Sequence, residues 1–144
     1  MVNTSEQYLK AIYLVQRAAD GPAATGAVAE QLGVSPASAN EMIGKLQTDD
    51  LVEHEKYKGV DLTDAGVERA LTALSTYCII ERFLADVLGV EDFRAEARAL
   101  ESVIDETVAG RLDTIIERCP QCPDCFDPEL DACEFLEVPV SADD

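Results

Sequence analysis

"TGAVAEQLGVSPASANEMIGKLQTDDLVEHEKYKGVDLT", residues 25–63, carries the signals that decide the fold. Val28, Ala29 and Leu32 share one face of a short helix that Thr25 opens as N-cap. Gly33 follows, a residue that accepts the left-handed backbone on which helices end. Ser35-Pro36 opens a second helix, with Ser as cap and Pro at the first helical position, where no amide hydrogen is needed. Its Ala39, Ile43 and Leu46 point to a core, and Ala37, Ser38, Asn40, Glu41 and Lys45 lie towards the other side. "LVEHEKYKGVDLT", residues 51–63, then reads as two short strands around a turn at Lys58-Gly59. A helix-turn-helix followed by a β-hairpin is a winged helix, a module that binds DNA.

Upstream, a helix starts at Thr4 or Ser5 and runs to about Asp20, with Leu9, Ile12, Tyr13 and Gln16 at helical spacing and Gly21-Pro22 as its end. Downstream, Thr63 caps a helix that continues to Leu88, with Gly89 as its stop. Val67, Ala70, Leu71, Leu74, Cys78, Phe83, Leu84 and Val87 give it a broad apolar stripe. A further helical region runs to about Arg118, with Leu100, Val103, Ile104, Val108, Leu112, Ile115 and Ile116 on one side. Two such helices need cover for their apolar faces, and a two-fold copy of the chain is the simplest supply. The expected fold is mainly α: a winged helix-turn-helix at 1–62, an all-helical dimerisation domain at 63–118 and a short cysteine-rich segment at 119–144.

Composition narrows the function classes. The chain has 144 residues, 29 acidic against 11 basic, and a net charge of -18. Acids interleaved with good apolar periodicity read as a solvated surface, of the kind that suits a very salty cytoplasm, and a halophilic archaeal source is the preferred explanation. No run is long enough to span a membrane and no apolar signal core opens the chain, so a cytoplasmic location is expected. No nucleotide-binding Gly motif and no catalytic His constellation occurs, and the single histidine, His54, falls in an expected strand. An enzyme is not indicated.

Contact with double-stranded DNA is expected at the start of the second helix of the motif, through Ser35, Ala37, Ser38, Asn40 and Glu41, with Lys45 behind them. Lys56, Tyr57 and Lys58 cluster at the hairpin tip, where a wing meets phosphate.

These words in this order resemble the diphtheria-toxin-repressor family of metal-dependent regulators. The matching stretches are "YLKAIYLVQ" (8–16), residues 25–52, "LTDAG" (62–66), "ERFLADVLGV" (81–90) and "LESVIDETVAGRL" (100–112). The resemblance implies a homodimer on a palindromic operator, with Fe²⁺ or Mn²⁺ as corepressor. It also carries the family's ligand positions onto this chain, where they fall on Gln7, Lys10, Tyr77, Glu81, Arg94, Arg98, Glu101 and Ser102. Only Glu81 and Glu101 among these are carboxylates, a weak residual of the family's metal site. Arginine cannot lose its proton and so cannot ligate a metal, so the two carboxylates are expected to pair with arginine instead.

The cysteines offer a replacement sensor. Of five, Cys119, Cys122, Cys125 and Cys133 cluster near the end, and Cys78 sits on an apolar face as a small hydrophobe. The Cys-x₂-Cys-x₂-Cys run resembles the bacterial ferredoxin triplet, and the prolines after Cys119 and Cys122 keep it out of helix. The first expectation is therefore an iron–sulfur cluster, [4Fe–4S], that senses iron or oxygen and redox state. A Zn²⁺ site is the alternative, and disulfides or free thiols come last in a reducing cytoplasm. The function expected is a homodimeric DNA-binding repressor with that sensor. Its rivals are the same regulator with structural Zn²⁺, a divalent-metal (Fe/Mn)-dependent repressor, and a cluster-bearing electron carrier. Two further rivals are a general-factor-like winged helix with a zinc ribbon, and a purely structural interaction module.

Overall fold

The computed structural model describes residues 3–55 and 58–117, with the backbone alone at 126–127 and 132–133. Contacts divide the chain into two compact units, Asn3–Ala73 and the part from Leu74 onward.

The first unit opens with α1 (Thr4–Ala19). Its N-cap is Asn3, one residue before the expected caps. Asn3 Oδ1 accepts from the Glu6 amide at 2.9 Å and Glu6 Oε1 accepts from the Asn3 amide at 3.1 Å. This reciprocal box satisfies two amide hydrogens that have no helical acceptor, which neither Thr4 nor Ser5 alone does. Next come α2 (Thr25–Leu32) and α3 (Pro36–Thr48). Thr25 is the first helical residue of α2, not its cap; Ala24 stands at the N-cap and offers no side-chain acceptor. Gly33 ends α2 at φ 68. Ser35 caps α3 as expected, its hydroxyl oxygen accepting from the Ser38 amide at 3.1 Å, with Pro36 in the first turn.

The hairpin follows as β1 (Val52–Glu55) and β2 (Gly59–Leu62), antiparallel, with His54 opposite Val60. Ala23 bridges to Val60 from the other side through two backbone hydrogen bonds of 2.9 and 2.8 Å, so the α1–α2 connection adds an edge to the wing. That closeness requires Gly59: it sits at φ 101, and a Cβ there would meet the Ala23 carbonyl oxygen at 2.5 Å. One core holds these elements together. Leu9 and Ile12 from α1, Val28 from α2, Ile43 and Leu46 from α3, and Val60 from β2 are all fully buried. Each such side chain contributes about 1.5–3 kcal/mol of hydrophobic transfer.

Thr63 caps α4 (Asp64–Arg82) as expected, its hydroxyl accepting from the Gly66 amide at 3.1 Å. The helix does not run unchanged to Leu88: Phe83–Val87 is one π-helical stretch, and Gly89 closes it at φ 63. The region expected as helix to Arg118 is two helices, α5 (Phe93–Glu101) and α6 (Glu106–Asp113). Asp105 makes the break. Its Oδ1 accepts from the Val108 amide at 2.9 Å, and a side chain that caps one helix cannot also sit in the interior of a longer one. Val103, Val108 and Ile115, expected on an apolar face, are exposed in the single chain. Beyond residue 117, Phe126–Asp127 (β3) pairs antiparallel with Ala132–Cys133 (β4). Among the described residues, no helix is long and apolar enough to cross a membrane.

Candidate nucleic-acid interface and buried carboxylate pair

Helix α3 separates its two faces cleanly. Ala39, Ile43 and Leu46 are buried, whereas Ser35, Ala37, Ser38, Asn40, Glu41 and Lys45 are all exposed. All of these but Lys45, which lies in the last turn, cluster at the helix's N-terminal half, where amide hydrogens without helical acceptors and the positive dipole end also point outward. Ser35 and Ser38 are tied to each other, Oγ to Oγ at 3.0 Å, so the pair presents a fixed donor–acceptor edge.

The wing is less basic than its sequence suggests. Lys58 pairs with Glu55 at 3.2 Å, both largely exposed, and a hollow beside it is lined by Pro22, Glu53, Glu55, Gly59 and Asp61. Lys56 and Tyr57 lie outside the described residues. Sequence reasoning missed the residue that fixes this hairpin to the helices. Gln16 of α1 donates from Nε2 to Asp61 Oδ1 at 2.9 Å and accepts at Oε1 from the Leu62 amide at 3.0 Å. Counted as part of an apolar stripe, Gln16 gives no local sign of that role; only the fold brings residues 16 and 62 together.

The second unit holds a different constellation. Among the described residues, the only buried charged side chains are Glu81 (0% exposed) and Glu101 (2%). Tyr77 and Glu81 are one helical turn apart on α4, and Arg94, Arg98 and Glu101 recur at helical spacing on α5. Tyr77, 1% exposed, directs its hydroxyl at the Arg94 carbonyl oxygen, 3.5 Å away, which joins the two helices. Burial raises the phenol above its ordinary 10.0; the charges of Glu81 and Glu101 push the same way, and Arg98 opposes them. Tyr77 is thus a neutral phenol close to two carboxylates and a guanidinium. Arg94 stacks over Phe93 at 5.0 Å, and its buried Nε makes no hydrogen bond. Ser102 caps the end of α5 from an exposed position, and Gln7 and Lys10 lie on α1.

Of the cysteines, Cys78 is buried and is not part of a disulfide. Cys119, Cys122 and Cys125 lie outside the described residues, and only the backbone of Cys133 is described. That backbone pairs with Phe126, the residue that follows Cys125 in the chain.

Comparison with known proteins agrees with this architecture. Residues 1–60 match the model of the iron dependent repressor N-terminal DNA binding domain, and residues 63–126 match that of the iron dependent repressor metal binding and dimerisation domain. A helix-turn-helix-type transcriptional regulator of Methanocaldococcus jannaschii is 32% identical over 120 residues, covering 82% of this chain and 96% of the relative. The transcriptional regulator MntR of Listeria monocytogenes is 33% identical over 123 residues, 84% of this chain and 85% of the relative. Among solved structures, ScaR with bound Zn²⁺ superposes with a TM-score of 0.67 at 30% identity, over 78% of this chain and 53% of that one. The chain spans about half the length of that solved protein. Two adjoining family models, and relatives matched over most of their length, leave one assignment: the chain belongs to the iron-dependent repressor family.

Proposed function

We propose that this chain is a homodimeric transcriptional repressor of the metal-dependent class, which reads a palindromic operator in double-stranded DNA. One observation carries the reading. The N-terminal half of α3 turns Ser35, Ser38, Asn40 and Glu41 outward, while Ala39, Ile43 and Leu46 on its other side are fully buried. The first half of the chain supplies that edge and the second half supplies dimerisation, so two α3 helices related by a two-fold axis would address two half-sites. Asn40, Ser35 and Ser38 are suited to base edges, and Lys45 and Lys56 to phosphate, Lys58 being engaged by Glu55.

Family membership implies a divalent metal, and the residues of the α4–α5 pair do not fit one. Among the described residues, no group of three or more His, Cys, Asp or Glu side chains is placed to hold a metal ion. Glu81 and Glu101 share the surroundings of Tyr77, a neutral phenol, with the guanidinium of Arg98, which cannot ligate a cation. The donor set left in the sequence is Cys119, Cys122, Cys125 and Cys133. Such a set takes a thiophilic divalent ion, Zn²⁺ or Fe²⁺. The [4Fe–4S] cluster expected from spacing alone has less support: the relatives are named for divalent ions, zinc in one structure and manganese in another.

Operator selection from a random duplex library, followed by footprinting and metal analysis, tests the reading. A two-fold symmetric footprint with about one divalent ion per chain is expected. An asymmetric footprint, or none, overturns the DNA-binding reading; labile sulfide with several irons per chain restores the cluster in place of the divalent ion.

A further inference from the structure

The buried carboxylates raise a question that the family assignment does not answer: what neutralises them. A carboxylate removed from water costs several kcal/mol unless it is paired. The second unit offers few cations. From Leu74 to Glu117 there is no lysine, and the arginines are Arg82, Arg94, Arg98 and Arg111. Arg82 is engaged with Asp86 at 3.2 Å, one turn on, and Arg111 lies in the last turn of α6. Arg94 and Arg98 remain, half-buried and exposed respectively, on the same helix as Glu101 and next to the phenol that also senses Glu81.

We propose that Arg98, backed by Arg94, is a built-in cation, the permanent counter-charge of Glu81 and Glu101, so that the α4–α5 pair closes with no divalent ion between its helices. Charge bookkeeping favours this. Two carboxylates carry two negative charges and two guanidiniums carry two positive ones, so the four side chains sum to zero; a divalent ion added to them leaves two uncompensated positive charges in a mostly buried place. A guanidinium stays protonated throughout the accessible pH range and presents a planar fork of donors, which matches carboxylates and repels metal. The neutral phenol of Tyr77 adds no negative charge that would call for more. In a domain type described as metal binding, this chain thus carries its cation covalently. Whatever metal the protein answers to acts elsewhere in the chain. The inference rests on the family assignment of the domain and not on the DNA-binding reading.

The test contains no DNA, so its failure and a failure to bind DNA are separate results. Full-length protein with Cys119, Cys122, Cys125 and Cys133 changed to Ser removes the tail thiols, and Mn²⁺ alone is the probe. Calorimetric titration is expected to show no stoichiometric uptake, and the thermal midpoint is expected to stay put on adding Mn²⁺. In the same background Arg98→Glu exchanges the cation for a third carboxylate. Its midpoint is expected to drop by roughly 10 °C, the scale of an uncompensated buried charge, and Mn²⁺ is expected to recover part of the loss. Arg98→Lys keeps the charge and retains most of the midpoint. Uptake of one Mn²⁺ per chain by the tail-serine protein overturns the proposal, whether or not Arg98→Glu folds. An Arg98→Glu protein as stable as its parent without metal overturns it as well.

Discussion

Gln16 Oε1 accepts the Leu62 amide hydrogen at 3.0 Å, a side chain of the first helix completing the backbone of the second wing strand. Nε2 of the same residue reaches Asp61, so one amide holds two successive strand residues. Gln16→Leu removes both bonds and leaves a part-buried amide hydrogen without its acceptor. The unfolding free energy is expected to fall by about 1–3 kcal/mol in urea titration. A loss of a few tenths only would show that water replaces Gln16 at no cost.

Gly66 makes a second prediction about the wing's root. A Cβ at this buried position would lie well inside contact distance of the Leu51 carbonyl oxygen, which also accepts from the Thr63 amide at 3.1 Å. The nearest obstacle is the Leu51 backbone, which cannot rotate aside as a side chain can. Gly66→Ala is expected to destabilise by roughly 1–3 kcal/mol or more. Gly44, mid-helix in α3 with open space around it, is the control: Gly44→Ala is expected to stabilise by about 0.5–1 kcal/mol. Thermal melts that move both variants the same way would refute the contrast.

On α3, substitutions at two exposed positions are expected to separate base reading from phosphate contact. Asn40→Ala should weaken binding to the selected operator by about 1–3 kcal/mol and relax the preference at one base pair. Lys45→Ala should weaken selected and scrambled duplexes alike and make the salt slope shallower by about one unit per protomer. Equal effects of both variants on both duplexes would remove α3 from the recognition role.

Salt dependence itself should be mild. Lys58 is paired with Glu55, which leaves Lys45 and Lys56 as the leading phosphate partners in each protomer, and the chain as a whole carries a net charge of -18. Counting about four contacts per dimer, the logarithmic salt slope is expected near −3.6. A slope steeper than about −6 would mean that other cations do the binding.

The winged helix was legible because its boundaries are set by neighbouring residues. Ser35-Pro36 starts α3, Gly33 stops α2 and Gly59 turns the hairpin, each within reach of its own backbone. Asn3 is legible too: its spacing to Glu6 is that of a capping box, which outranks the lone hydroxyls after it. The break at Asp105 hid inside a helical apolar spacing, because periodicity does not register a cap that interrupts it. Gln16 and Gly66 depend on partners 46 and 15 positions away, and no local pattern encodes those meetings. At the second site the resemblance singles out Glu81, Arg94, Arg98 and Glu101, and periodicity alone marks none of them. The burial of Glu81 and Glu101, which makes their charge a constraint on what surrounds them, came only with the packing of the second unit.

That burial also bears on inheritance. Deleting one member of a buried ionic group costs about 3–5 kcal/mol, whereas exchanging the whole group for apolar residues of similar volume is often neutral. Glu81 and Glu101 therefore cannot drift independently of the cation that balances them. Substitution at these positions passes through strongly epistatic steps, in which the order of changes decides whether each intermediate still folds. Homologous chains that keep both glutamates should accordingly carry either arginine beside them or a set of metal ligands in its place.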